Sequence, residues 1–205
     1  MSLFEDTYVT IEQPSEGLFK DKGSKFIAYA YPFKGEESLK EILGKLKALH
    51  PKARHHCWAY RVSQDRNVFR INDDGEPSGT AGRPILNALL SKDVTDIIVI
   101  VVRYFGGTLL GVPGLINAYK SATVDAIDNS FLVERTVNET IVIRFDYLQM
   151  NSVMRLVKEE NLTTLKQEFD NTCSIEIEVR KMQVNFVIDR LEKMEGLTYS
   201  FGTTL

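Results

Sequence analysis

Six consecutive β-branched apolar residues, Ile97-Ile98-Val99-Ile100-Val101-Val102, constrain this chain more than any other stretch. Side chains alternate faces along a strand, so a run with no polar position is buried on both sides. A sheet built around it needs helices covering it there. Two flanking segments have the right pattern. Leu39, Ile42, Leu43, Leu46 and Leu49 form one apolar helical face, opened by the capping-box spacing of Ser38 and Glu41 and ended by His50-Pro51. Leu115, Tyr119, Ala122 and Ala126 form another. With 43% hydrophobic residues in 205, there is enough apolar surface for one large or two small domains.

Upstream, Tyr8–Ile11 and Phe26–Tyr31 read as strands of a hairpin across the charged turn Asp21-Lys22-Gly23-Ser24-Lys25. His56–Val62 reads as the next strand. Pro84 is expected as the first residue of a short helix running to Leu90, since a missing N–H costs nothing at that position. After Arg135 the pattern begins again: a strand at Ile141, Ile143 and Phe145, then a helix with Val153, Leu156 and Val157. Two strands follow, with Leu165, Gln167 and Phe169 on one face of the first and Cys173, Ile175, Ile177 and Val179 on one face of the second, turning at Asp170-Asn171-Thr172. A helix (Val184, Val187, Ile188, Leu191) and a strand (Leu197, Tyr199, Phe201) complete a β-α-β-β-α-β order, the ferredoxin-like plan. The expected organisation is α+β, with domains at 1–135 and 136–205.

Charge excludes some partners. With 25 basic against 28 acidic residues the net charge is −3, so no global basic field draws the chain to nucleic acid or an anionic membrane, and any such binding must be local. Two distant cysteines, Cys57 and Cys173, make no disulfide framework, and no apolar run reaches bilayer length. A cytoplasmic location with reduced thiols is expected.

Between the strands at His56–Val62 and Ile97–Val102 lies Asn72-Asp73-Asp74-Gly75-Glu76-Pro77-Ser78-Gly79-Thr80-Ala81-Gly82-Arg83-Pro84, dense in charge, hydroxyls and glycine and poor in core residues. Asp73, Asp74 and Glu76 could serve as hard-oxygen ligands or as acid and base with His55 or His56; they could equally cap turns and pair with Arg70 or Arg83. Ser78 and Thr80 beside glycines could offer an anion nest, although Gly82-Arg83-Pro84 lacks the Lys-Ser/Thr ending of a phosphate loop. His55, His56 and Cys57 are adjacent and so cannot all face one metal; His55 and Cys57 share a face, as a Cys/His pair would require. His56, Trp58 and Tyr60 share the other, an aromatic surface for a stacked base or ordinary packing under a helix. Arg103-Tyr104-Phe105-Gly106-Gly107-Thr108-Leu109-Leu110-Gly111 has the wrong glycine spacing for a dinucleotide fingerprint. A phosphate near the following helix start, close to Arg103, and purely structural glycine turns are the remaining options.

His56-Cys57-Trp58-Ala59-Tyr60, then the loop from Asn72 to Pro84, then Val102-Arg103-Tyr104-Phe105-Gly106-Gly107, in that order, resemble the IMPACT family and its bacterial YigZ-like branch. The resemblance covers residues 15–130, and the tail resembles the second domain of bacterial members. It implies a first domain similar to the second domain of ribosomal protein S five and a second similar to the last domains of elongation factor G. Where the family has a small residue, two glycines and a basic residue near the helix start, this chain has Val112, Pro113, Gly114 and Asn117. Eukaryotic relatives act as translation regulators, a role that belongs partly to another domain and does not transfer directly. The parallels to the ribosomal and elongation-factor domains imply RNA, the ribosome or a translation-related protein as partner; no cofactor, metal or membrane is expected. It carries no catalytic assignment. Arg61, Arg70, Arg83 and Arg103 are the expected phosphate contacts, with Tyr104 beside them; a hydrolase using the carboxylate loop and a purely structural docking protein are the alternative functions.

Overall fold

The structure, a computed structural model, describes residues 6–62, 68–169 and 172–202. It divides into two compact units, Tyr8–Arg135 and a second comprising the N-terminal stretch to Thr7 together with the chain from Thr136 onward. Both mix helix and sheet, as an α+β chain of two domains should.

The first unit begins with β1 (Thr7–Ile11), β2 (Ser15–Asp21), β3 (Ser24–Pro32) and α1 (Leu39–Leu49). It continues with β4 (His55–Val62), β5 (Val68–Asn72), α2 (Gly82–Ser91), β6 (Ile97–Tyr104), α3 (Gly111–Asp128) and β7 (Leu132–Thr136). Five strands make one sheet in the order β2-β3-β6-β4-β5, and each neighbouring pair is antiparallel. The apolar run lies in its central strand. Ile97, Val99 and Val101 join the core beneath α2 and α3, while Ile98, Ile100 and Val102 join the core under α1, so the run is buried on both faces.

Three local expectations are corrected. The hairpin partner of β3 is β2, joined through Lys22 and Gly23, whose φ values of 44° and 79° give the twist that a two-residue connection between antiparallel strands needs. β1 instead pairs with β7 in a separate two-stranded sheet. Ser38 makes no side-chain cap on α1; its hydroxyl donates back to the Gly35 carbonyl, and a single 3-10 turn leads into the helix. The short helix α2 starts at Gly82, two residues before Pro84.

The second unit contains β8 (Asn138–Phe145), α4 (Met150–Glu159), β9 (Thr163–Phe169), β10 (Cys173–Arg180), α5 (Val184–Glu192) and β11 (Leu197–Phe201). Its sheet order, β11-β8-β10-β9, is that of a ferredoxin-like fold. Ile141, Ile143, Cys173, Ile175, Ile177 and Val179 pack beneath Val153, Leu156, Val187 and Leu191 of the two helices. The buried Asp6 carboxylate takes both Nε and Nη2 of Arg180, tying the N-terminal stretch to this unit. Leu165 and Phe169 do not enter the core. β9 is an edge strand exposed at every position, and a bulge at Leu165 breaks its alternation. Asp170 and Asn171 of the expected turn lie outside the described residues.

Candidate functional site

Strand register fixes which loops meet. Lys25 of β3 pairs with Tyr104 of β6, Arg103 with His55 of β4, and Trp58 of β4 with Asn72 of β5. The Lys22-Gly23 turn, the residues entering β4, the loop after β5 and the glycine segment after β6 therefore share one end of the sheet. α2 and α3 both start there. The turn and the glycine segment touch through bare backbone: a Cβ added at Gly106 would lie 1.9 Å from the Gly23 carbonyl carbon, so no other residue fits without moving the hairpin.

At this end the acidic loop is folded inward. The Asp73 carboxylate accepts three backbone hydrogen bonds, from Gly79 (2.9 Å), Ala81 (3.1 Å) and Gly82 (2.8 Å), which closes the loop and satisfies free N–H groups at the start of α2. Asp74, at a φ of 39°, accepts the His56 backbone N–H on Oδ2 at 2.6 Å, and its carbonyl accepts from His55 Nδ1 at 2.8 Å. A carbonyl only accepts, so the proton of His55 sits on Nδ1. Glu76 is buried, and one of its carboxylate oxygens accepts from both Arg103 Nη1 (2.5 Å) and the Tyr119 hydroxyl (2.8 Å). The Thr80 hydroxyl is also buried and donates to the Pro77 carbonyl at 2.7 Å.

The Cys57 thiol lies 3.0 Å from the Asp73 carbonyl oxygen and 3.3 Å from the Tyr119 hydroxyl. Burial pushes both the thiol and the Tyr119 phenol far above their ordinary values, with the nearby carboxylates adding to it. Cys57 is thus a wholly buried core thiol, and His55 gives its Nδ1 to the Asp74 carbonyl instead of to the sulfur. The acid and base roles read into Asp73 and Glu76 meet oxygens already committed to backbone N–H groups, Arg103 and Tyr119. Among the described residues no group of three or more His, Cys, Asp or Glu could hold a metal ion.

The aromatic surface expected from His56, Trp58 and Tyr60 is internal. All three are buried on the α1 face, Trp58 and Tyr60 stacked with ring centroids 5.8 Å apart. Burial holds the His56 imidazole below its ordinary pKa despite the Asp74 carboxylate, whose Oδ2 is 3.9 Å from Nδ1. His50 ends α1 between two tyrosines: Nε2 is 2.7 Å from the Tyr29 hydroxyl and Nδ1 2.9 Å from that of Tyr104. Burial lowers its pKa as well, with Lys25 adding to the effect.

Two of the four arginines expected to meet phosphate are buried. Arg61 lies at the opposite end of the sheet, beside Ile97, donating to Asp93 Oδ1 and to the Val94 carbonyl. Arg103 pairs with Glu76, its guanidinium carbon 5.5 Å from the Phe26 ring centre and 5.7 Å from that of Phe105. Arg70 is exposed but sits within β5, paired with the Glu36 carboxylate that also accepts the Tyr60 hydroxyl. Arg83 alone of the four is an exposed residue at the loop end, on the first turn of α2, with Ser78 exposed near it.

Sequence reasoning missed the other cations of this rim. Lys22 and Lys25 flank the hairpin turn, Lys52 and Arg54 precede β4, and all four are exposed. The four acidic residues of the same segments, Asp21, Asp73, Asp74 and Glu76, are each at least partly buried. Phe105, 57% exposed, stands on the rim above Arg103. The signal available in the sequence was the basic character of the two short turns, Asp21–Lys25 and His50–Arg54.

A family model described as the Impact N-terminal domain matches residues 22–127. An IMPACT family member of Haemophilus influenzae is 35% identical over 181 residues, covering 85% of this chain and 86% of that protein. The IMPACT family member YigZ of Escherichia coli is 36% identical over 138 residues, covering 66% and 68%. Among solved structures, the crystal structure of a hypothetical protein superposes with a TM-score of 0.73 at 26% identity, over 96% of this chain and 97% of that one. With its first domain matched by the family model and a bacterial relative matched along most of its length, the chain belongs to the IMPACT family.

Proposed function

We propose that this protein is a translation-related RNA-binding protein and that the loop end of its first domain is the contact surface. The observation that carries this reading is the sorting of charge there. Asp73, Asp74 and Glu76 have carboxylate oxygens turned into the domain, while Lys22, Lys25, Lys52, Arg54 and Arg83 remain outside. A surface of this kind attracts phosphate locally in a chain whose overall charge is −3. The first turns of α2 and α3 point their positive ends the same way, and the exposed ring of Phe105 offers a face for a base. The link to translation comes from the family, whose eukaryotic members the resemblance describes as translation regulators.

The test is fluorescence polarisation of a labelled single-stranded RNA titrated with the whole protein at several salt concentrations. Affinity should fall with salt, log K changing by about 0.7 per log unit of salt for each phosphate neutralised. Binding of equal strength across the salt series, or no binding at low salt, would remove the proposal.

A further inference from the structure

β9 ends the four-stranded sheet of the second unit, and its outer edge has no strand beside it among the described residues. Its sequence, Leu165-Lys166-Gln167-Glu168-Phe169, reads as its own complement. If two such strands run antiparallel with Gln167 opposite Gln167 of a second copy, Lys166 faces Glu168 and Leu165 faces Phe169, each pair occurring twice by symmetry.

The side chains from Lys166 to Phe169 lie on the faces that this pairing needs. Gln167 and Phe169 are opposite Ile175 and Cys173 of β10, so they project toward the helix-covered side; Lys166 and Glu168 are opposite Glu176 and Ser174 and project from the open face. The bulge places Leu165 opposite no residue of β10, at the point where the strand's register shifts. Leu165 is 51% exposed and Phe169 46%, both large apolar side chains left in water. The Lys166 and Glu168 side chains are 66% and 60% exposed and neutralise each other within the strand at 2.8 Å. Exposed edges are usually protected by charge or by a bulge, and here the bulge at Leu165 leaves the regular stretch from Lys166 to Phe169 open. Here the two charges are of opposite sign and symmetrically placed about Gln167, so a second copy meets attraction on both sides.

We infer that two copies of this chain associate through β9, joining their four-stranded sheets into one eight-stranded sheet about a two-fold axis at Gln167. An interface of one short strand from each copy is small beside permanent dimers, which bury about 2,000 Å² or more. The association is therefore weak and dependent on concentration. It is independent of the RNA reading, which concerns the other domain.

Sedimentation equilibrium of the whole protein from micromolar to millimolar concentration tests it. The wild type should move from one chain toward two. Lys166→Glu places Glu opposite Glu168 of the second copy, and Glu168→Lys places Lys opposite Lys166; each variant alone should lose about tenfold or more in dimer affinity. An equimolar mixture of the two variants restores two opposite-charge pairs, and should associate as the wild type does. Both positions are exposed, and circular dichroism of each variant verifies that it is folded. A wild type that stays single at every concentration overturns the inference. So does a dimer indifferent to both charge reversals, or a mixture that associates no better than its components.

Discussion

Two charged segments at the same end of the first domain's sheet behave in opposite ways. The loop from Asp73 to Gly82 turns its carboxylates inward, where they hold backbone N–H groups, a buried arginine and a phenol. The turn from Asp21 to Lys25 leaves its two lysines in solvent. A charged residue surrounded by glycine can thus be scaffold or surface, and its hydrogen-bond partners decide which. It follows that changes in the inner loop should move stability, and changes on the rim should move binding.

The largest effect is expected at Glu76. Its pair with Arg103 is buried, with side-chain exposures of 3% and 8%, and Glu76→Ala leaves the guanidinium without its counter-charge. The loss should be about 3–5 kcal/mol in urea unfolding. Adding Arg103→Met to that variant should recover part of it, because the stranded charge is then gone.

Asp73→Asn comes next, at about 1.5–3 kcal/mol. An amide can still accept on one atom but presents N–H to donors on the other, and the carboxylate serves Gly79 on one oxygen and Ala81 and Gly82 on the other. Amide exchange should quicken at those three N–H groups more than elsewhere in the domain. If exchange there is unchanged, Asp73 is not what closes the loop.

The histidines give a smaller effect with a definite sign. Burial lowers the folded-state pKa of both His50 and His56, so protons bind the unfolded chain first. The stability they protect is present above the ordinary histidine value, about 6.5, and is lost as pH falls below it toward the folded values. His56→Leu should reduce the loss in that window. A variant as sensitive to pH as the wild type would show that His56 titrates freely in the folded protein.

Much of this fold was legible in the sequence for simple reasons. Ile97–Val102 could only be a strand covered on both sides, and Cys173, Ile175, Ile177 and Val179 alternate as a half-buried strand must. Strands without such a signal were missed. β5 is an exposed edge whose Val68 and Phe69 face solvent, and β2 carries Gly17, where the α3 backbone approaches so closely that a Cβ would sit 2.2 Å from the Ala126 nitrogen. The candidate site was legible as a location and much less so in its roles. Glu76 and Arg103 are 27 residues apart, and the partners of Asp73 are backbone groups that any sequence has. Trp58 and Tyr60 share a strand face, as expected, but whether water or α1 covers that face depends on where a helix packs.

The smallest expected change in stability belongs to the rim, and with it the most direct test of the account. Arg54→Ala and Arg83→Ala together should alter unfolding stability by no more than about 0.5 kcal/mol for each exposed site. The decisive measurement is the salt dependence of RNA binding for this double variant beside Asp73→Asn under conditions where both are folded. Weaker binding and a shallower salt slope are expected for the arginine variant, with the slope of Asp73→Asn equal to that of the wild type. An unchanged slope in the arginine variant, or its loss in Asp73→Asn, would contradict the division between an inner acidic scaffold and an outer basic surface.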